Sequence, residues 1–347
     1  MIFINVGVLE LNKMTRENRL DLIHYSKIVL AVGALAAIIT ACGGKNTTVT
    51  IDKPAETTNV EVQMMKPEEV PAALLEGKYA KVYAYFSDEF KQQLSEADFV
   101  SMAPDLLKGI HSFKQASVMQ HNGGDQRSWL SDSGTKGLTS VFDEKGAISG
   151  LLVKELTSFP ETDNRLTKIK YNWPLSGEWY IVWGGTNVLV NYHYEHESQR
   201  YAYDIVQSKD GYSYKGDPLK NESYYAFGQP VLAPADGTVV SIVNDIPDNE
   251  PVGVMNEKVP AGNEVVIDHG GEYSVLAHLK KGTVKVKVGD KVSSGEEIGL
   301  LGNSGNSSEA HLHYQVSDGA ELFKSRSINI NWKEGITPVQ GEIVKAE

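Results

Sequence analysis

Apolar positions recur at helical spacing early in the chain and alternate with polar ones later. Val70, Leu74, Leu75, Tyr79, Val82 and Phe86 follow the three-to-four period, with a break at Gly77. Pro67-Glu68-Glu69 opens that run with a proline and two acids, a helix-start pattern. Ser87-Asp88-Glu89 opens a second helix. Ser95-Glu96-Ala97-Asp98 makes a near capping box ahead of Phe99, Met102 and Leu106-Leu107. After Gly109 the period shortens. Gln115 to His121, Thr139 to Phe142 and Ile148 to Leu156 predict strands, with Asp143-Glu144-Lys145-Gly146 as a turn. Helices followed by a meander predict an α+β domain over residues 62–156, with helices against a curved antiparallel sheet.

Residues 157–190 read as a connector. Tyr171, Trp173, Trp179, Tyr180 and Trp183 suggest an aromatic-rich strand pair. Such a pair serves either as a packing surface or as a platform on which sugar rings stack. From Pro230 onward the chain is mostly strand and turn. β-Branched residues alternate between Asp-Gly, Gly-Asp and Gly-Gly corners, which predicts an antiparallel sheet or flattened barrel within 191–347. The full fold-class expectation is therefore α+β, an α+β domain followed by a mostly antiparallel β domain.

The N-terminus reads as targeting rather than fold. Ile28 to Ile39 is an uncharged apolar run preceded by Arg16, Arg19 and Lys27. It is short for a bilayer core of about 30 Å, which needs about 20 residues. A basic region, a short apolar region and small residues make a secretory signal over 1–41, with Met14 as the candidate true start. Thr40-Ala41-Cys42-Gly43-Gly44 resembles a bacterial lipobox, which implies cleavage before Cys42 and lipid on its sulfur. That places the protein outside the cytoplasm, held to the cell membrane as a lipoprotein. Residues 42–61 then form a polar, flexible tether.

Composition narrows the chemistry. Cys42 is the single cysteine of 347 residues, which excludes a disulfide scaffold and any Cys-rich zinc site. A net charge of −12 argues against a nucleic-acid partner. Six of the nine histidines lie between 193 and 313. His111 and His121 stand alone and read as surface or core histidines. His311-Leu312-His313 is the pivotal motif. On a strand, positions i and i+2 face one side, so both imidazoles reach one site. His278 sits near a strand end in Leu276-Ala277-His278-Leu279. Asp204 sits in an otherwise apolar strand, where a carboxylate needs a partner. Gly302 to Gly305 form a loop leading into the histidine pair.

These residues resemble the M23 metallopeptidases, the lysostaphin and LytM-like peptidoglycan endopeptidases. The likeness runs over about 200–318, through PVLAPADGTVV, GNEVVIDHG, the AHL histidine, VKVGDKVSSGEEIG, and GNSG followed by HLHYQV. It implies a Zn2+ cofactor, with Asp204 and His313 as ligands and His278 and His311 as the non-ligand pair. Zinc with an open position activates a water for attack on a peptide carbonyl. His278 and His311 would take up the proton and steady the oxyanion. The implied partners are peptidoglycan peptides and, through the N-terminal lipid, the membrane. Residues 62–156, especially VFDEKGAISGLLV, resemble the small NTF2-like domains found before secreted peptidases.

One position departs from the family pattern. The family histidine lies four residues before the aspartate, where this chain has Arg200. A guanidinium stays protonated and cannot ligate zinc. His193 and His196 lie upstream. His193, between Tyr192 and Tyr194, is the expected replacement, and Arg200 then meets a substrate carboxylate or braces a ligand. The alternative is a catalytically inactive domain that binds the cell wall or activates another hydrolase.

Overall fold

The computed structural model describes residues 65–346. The signal segment, Cys42 and the tether lie outside them. The first part carries four helices: α1 (Val70–Leu75), α2 (Tyr79–Ala84), α3 (Asp88–Gln93) and α4 (Glu96–Leu106). Their starts follow from local chemistry. The Ser87 hydroxyl accepts from Phe90 N at 3.1 Å, and the Ser95 hydroxyl accepts from Asp98 N at 3.2 Å. Each satisfies an amide that has no partner within its helix. Phe86, Phe90 and Phe99 stack where these helices meet the sheet.

That sheet is an antiparallel meander of β1 (Phe113–His121), β2 (Gly124–Ser131), β3 (Lys136–Phe142) and β4 (Ile148–Glu155). The hydrophobic pattern predicts three of these strands and misses β2. Its segment GDQRSWLS is polar, yet Gln126, Ser128 and Ser131 are buried. One cause is a polar contact between the two halves of the chain. Ser117 Oγ and Gln126 Nε2 both donate to Gln340 Oε1 near the C-terminus.

The remaining strands are β5 (Gly177–Trp183), β6 (Tyr203–Val206), β7 (Pro230–Leu232), β8 (Gly237–Val243), β9 (Asn263–Asp268) and β10 (Tyr273–Leu279). They continue with β11 (Lys291–Val292), β12 (Glu297–Leu300), β13 (Leu312–Ser317), β14 (Ser327–Ile328) and β15 (Ile343–Ala346). Nine of them form one antiparallel sheet in the order β11-β8-β9-β10-β13-β6-β5-β15, with β14 beside β13. β7 and β12 pair separately.

Two expectations need correction. The segment 157–190 is no connector with a strand pair, because it holds one strand, β5, and β5 belongs to the large sheet beside β6. Nor do Trp173 and Trp179 form a sugar platform, while Trp183 is half-buried. Trp173 and Trp179 are 4% and 2% exposed and lie in the core with Trp332. Rings of this size contribute more by leaving water than by waiting on a surface for a ligand.

Strand alternation then sorts the chemistry. Leu312, Tyr314 and Val316 of β13 face the main core, as do Tyr203 and Ile205 of β6. His313 and Gln315, and Asp204 on β6, take the opposite face. The pairing register sets His313 directly across from Asp204 on one side and from Ala277 on the other.

Candidate metal and catalytic site

Four histidines and one aspartate converge on that opposite face. Asp204, on β6, is 5% exposed and lies among three imidazoles. Its Oδ1 is 3.0 Å from His313 Nδ1 and 3.7 Å from His311 Nε2, and its Oδ2 is 3.6 Å from His193 Nε2. Tyr192 donates its hydroxyl to Oδ2 at 3.3 Å. Burial alone would raise the Asp204 pKa, but His193, His311 and His313 hold it well below the usual carboxylate range.

His193 arrives from outside the sheet, on a 3-10 turn over Tyr192–Glu195. Asn191 caps that turn, accepting from His193 N at 3.2 Å and from His193 Nδ1 at 2.9 Å. The amide of Asn191 is itself oriented, since its Nδ2 donates to the carbonyls of Gly185, Arg200 and Ala202. The proton of His193 is therefore on Nδ1, and Nε2 carries a bare lone pair toward Asp204. That Nε2 is buried and has no hydrogen-bond partner. Burial pushes the His193 pKa down to about 3, so the ring is neutral at neutral pH. His196 is exposed, on the rim.

The same argument fixes His313. Gln315 Nε2 donates to Ser198 O and to Ser317 Oγ, so its Oε1 accepts from His313 Nε2 at 3.2 Å. A neutral His313 then presents a bare Nδ1 to the Asp204 carboxylate. Two acceptors at 3.0 Å need a cation between or on them. His193 Nε2, Asp204 and His313 Nδ1 together offer three ligand atoms, all within 4.8 Å of one another. One carboxylate oxygen and two imidazole nitrogens suit zinc with a fourth position left open. The unpartnered His193 nitrogen fits that reading, because a buried polar atom without a partner is costly unless something else satisfies it.

His278 and His311 are oriented differently. His278 Nδ1 donates to Ser304 O at 2.8 Å, and His311 Nδ1 donates to Glu309 O at 2.9 Å. Both rings thus turn Nε2 inward, and their centroids lie 4.7 Å apart. Burial, then the neighbouring His311 and His313, drive the His278 pKa well below its ordinary value. His278 also has a left-handed backbone, φ 63°, at a bulge where β10 leaves its register with β9. A non-glycine residue there carries strain, of order 1–3 kcal/mol, and the bulge re-aims its side chain. Close approach brings the Ser304 carbonyl within reach. Gly262 (φ 63°) and Gly305 (φ 83°) lie against each other, and a Cβ on either would collide with backbone.

The structure therefore brings His193, Asp204, His278, His311 and His313 together and leaves His196 outside. Of the two roles expected for Arg200, its position supports the bracing one. It is 7% exposed, its guanidinium stacks 3.5 Å above the Phe159 ring, and its Nε donates to Tyr194 O at 3.1 Å. So buried, it meets no substrate carboxylate and instead braces the turn that carries His193. Sequence reasoning passed over Asn191, Gln315, Ser304 and Glu309. Gln315 had a local signal, since it lies two residues past His313 on the same strand face. His121, read as standing alone, bonds to Glu309 across the molecule, Nε2 to Oε1 at 2.7 Å.

Residues 223–325 match the family model described as Peptidase family M23. That span includes His278, His311 and His313, while His193 and Asp204 lie before it. Over 89 residues the chain is 43% identical to an uncharacterized metalloprotease of Haemophilus influenzae, covering 25% of this chain and 16% of that one. Over 103 residues it is 42% identical to the peptidoglycan DD-endopeptidase ShyA of Vibrio cholerae, covering 29% and 19%. The likeness thus spans less than a fifth of the length of these two relatives. Among solved structures, the catalytic domain of lysostaphin from Staphylococcus simulans is 26% identical over 34% of this chain and 87% of that chain, with a TM-score of 0.22.

Proposed function

We propose that this protein is a zinc-dependent endopeptidase that hydrolyses peptide bonds in peptidoglycan. The observation that carries the reading is the convergence of three ligand atoms, one of them a buried nitrogen without a partner, beside two imidazoles whose Nδ1 atoms are held by backbone carbonyls. His193, Asp204 and His313 would hold the metal. Zinc in such a site supplies Lewis acidity and an activated water at neutral pH. His278 and His311 would accept the water proton on Nε2, hydrogen-bond the developing oxyanion and return a proton to the leaving amine. Their Nδ1 protons are already committed to carbonyls, so each ring is held in the tautomer this work needs. The matches to metallopeptidases, among them a peptidoglycan endopeptidase, support the substrate class. Lipid attachment at Cys42 would place the enzyme beside the wall.

The test is digestion of purified peptidoglycan by the zinc-loaded chain, with released peptides read by mass spectrometry. New amino termini at peptide cross-links are expected. Full zinc occupancy with no cleavage of any wall preparation would overturn the reading and favour a wall-binding domain.

A further inference from the structure

The residue that orients His311 is itself held from the other half of the chain. Glu309 is 2% exposed, a carboxylate inside the protein. Its backbone carbonyl accepts from His311 Nδ1 and from Ser307 Oγ. Its side chain is gripped elsewhere. His121 Nε2 lies 2.7 Å from Oε1, while Asn122 Nδ2 and Ser213 Oγ donate to Oε2 at 3.2 and 2.5 Å. His121 and Asn122 form the tip of the hairpin between β1 and β2, in the first sheet. Asn122 takes a left-handed backbone, φ 49°, donates its N–H to Gly211 O at 2.7 Å, and accepts from Ser213 N at 2.9 Å. The tip is thus fixed against the second sheet before it reaches Glu309.

We propose that the His121–Asn122 tip is a positioning clamp. By fixing the Glu309 carboxylate, it fixes the Glu309 carbonyl that holds the His311 imidazole toward Asp204. Freeing the tip would leave the Glu309 side chain with Ser213 Oγ but without its other donors, and an under-satisfied buried carboxylate would turn toward water. Its carbonyl would move with it. His311 would then sample both tautomers and lose its inward aim, and a displacement of about 1 Å can cost about a hundredfold in rate. The first sheet in this account serves the site through a defined contact. The inference rests on the reading of His311 as a proton-handling group, and it assigns His121 and Asn122 as positioning residues that touch neither substrate nor metal.

The experiment uses the full, zinc-loaded chain and compares wild type with His121→Ala, His121→Gln and Asn122→Gly. Glycine keeps the left-handed backbone at 122 without the amide. Readouts are metal content, kcat and KM on peptidoglycan fragments, and the ring-nitrogen NMR signals of His311. The expected result is full metal content, KM within about twofold, kcat lower by about ten- to a hundredfold, and His311 signals moved toward a tautomer mixture. His121→Gln, which restores a donor to Glu309, should recover most of the loss. Unchanged kcat and unchanged His311 signals in both His121→Ala and Asn122→Gly would overturn the clamp, as would a rise in KM alone. If wild type cuts no peptidoglycan, the functional reading fails, and the His311 signals decide the clamp without it.

Discussion

Asp204 and His313 are directly paired across β6 and β13, and their side chains meet with Oδ1 and Nδ1 3.0 Å apart. His313 donates its other nitrogen to Gln315, so the pair shares no proton of its own unless the ring is charged. A metal ion would resolve the same contact, and His193 Nε2 lies 3.6 Å from Asp204 Oδ2 on a third side.

Ligands and proton handlers should separate by substitution. His278→Ala and His311→Ala are expected to keep zinc and lose turnover by roughly a hundredfold or more. Metal analysis beside rate measurement checks this. Zinc lost from His278→Ala would exchange the assigned roles.

Gln315 should matter to the metal without touching it. Gln315→Met removes the acceptor that fixes the His313 tautomer while keeping the bulk of the side chain. The expected outcome is a zinc affinity lower by about ten- to a hundredfold in chelator competition. Unchanged affinity would mean that strand geometry alone orients His313.

The sequence made the local features plain and hid the distant ones. Ser87 and Ser95 announce their helices because a cap acts over three residues. The spacing of His311 and His313 put both imidazoles on one side, while Asp204 was brought to them by the family resemblance and not by any local pattern. β2 left no such trace, since its buried Gln126 and Ser128 are matched by Gln340 and Thr139 rather than by an apolar core. The contact of His121 with Glu309 spans 188 residues, and nothing near either position foretells it. The charge of Arg200 left a substrate role and a bracing role both open, because burial against Phe159 is not visible in sequence.

Glu309 should give stability a marked acid dependence. Burial opposes its ionisation, yet His121, then Ser213 and His311, hold its pKa down to about 2, from an ordinary 4.5. A carboxylate depressed in the folded state stabilises above its unfolded value, and that contribution is lost as pH falls through its folded one. Wild type should therefore exceed Glu309→Gln in Tm at pH 6, with the gap closing between about pH 4.5 and pH 2. A gap that stays constant across that window would show that the charge of Glu309 contributes nothing.

Trp173 should behave as core. Trp173→Ala is expected to cost about 3–5 kcal/mol in denaturant unfolding, the range for a large ring removed from a packed interior. Wall binding per folded molecule should not change. Weakened wall binding at full stability would restore the sugar-stacking role.

Zinc content of His193→Ala and His196→Ala, measured beside wild type on the full chain, tests the central claim most directly. Wild type and His196→Ala should each hold about one zinc per chain, and His193→Ala should hold almost none, because a catalytic site has only about three protein ligands to lose. Full zinc in His193→Ala would contradict the account. The buried nitrogen 3.6 Å from Asp204 would then be no ligand, and the site would have to be completed by another group.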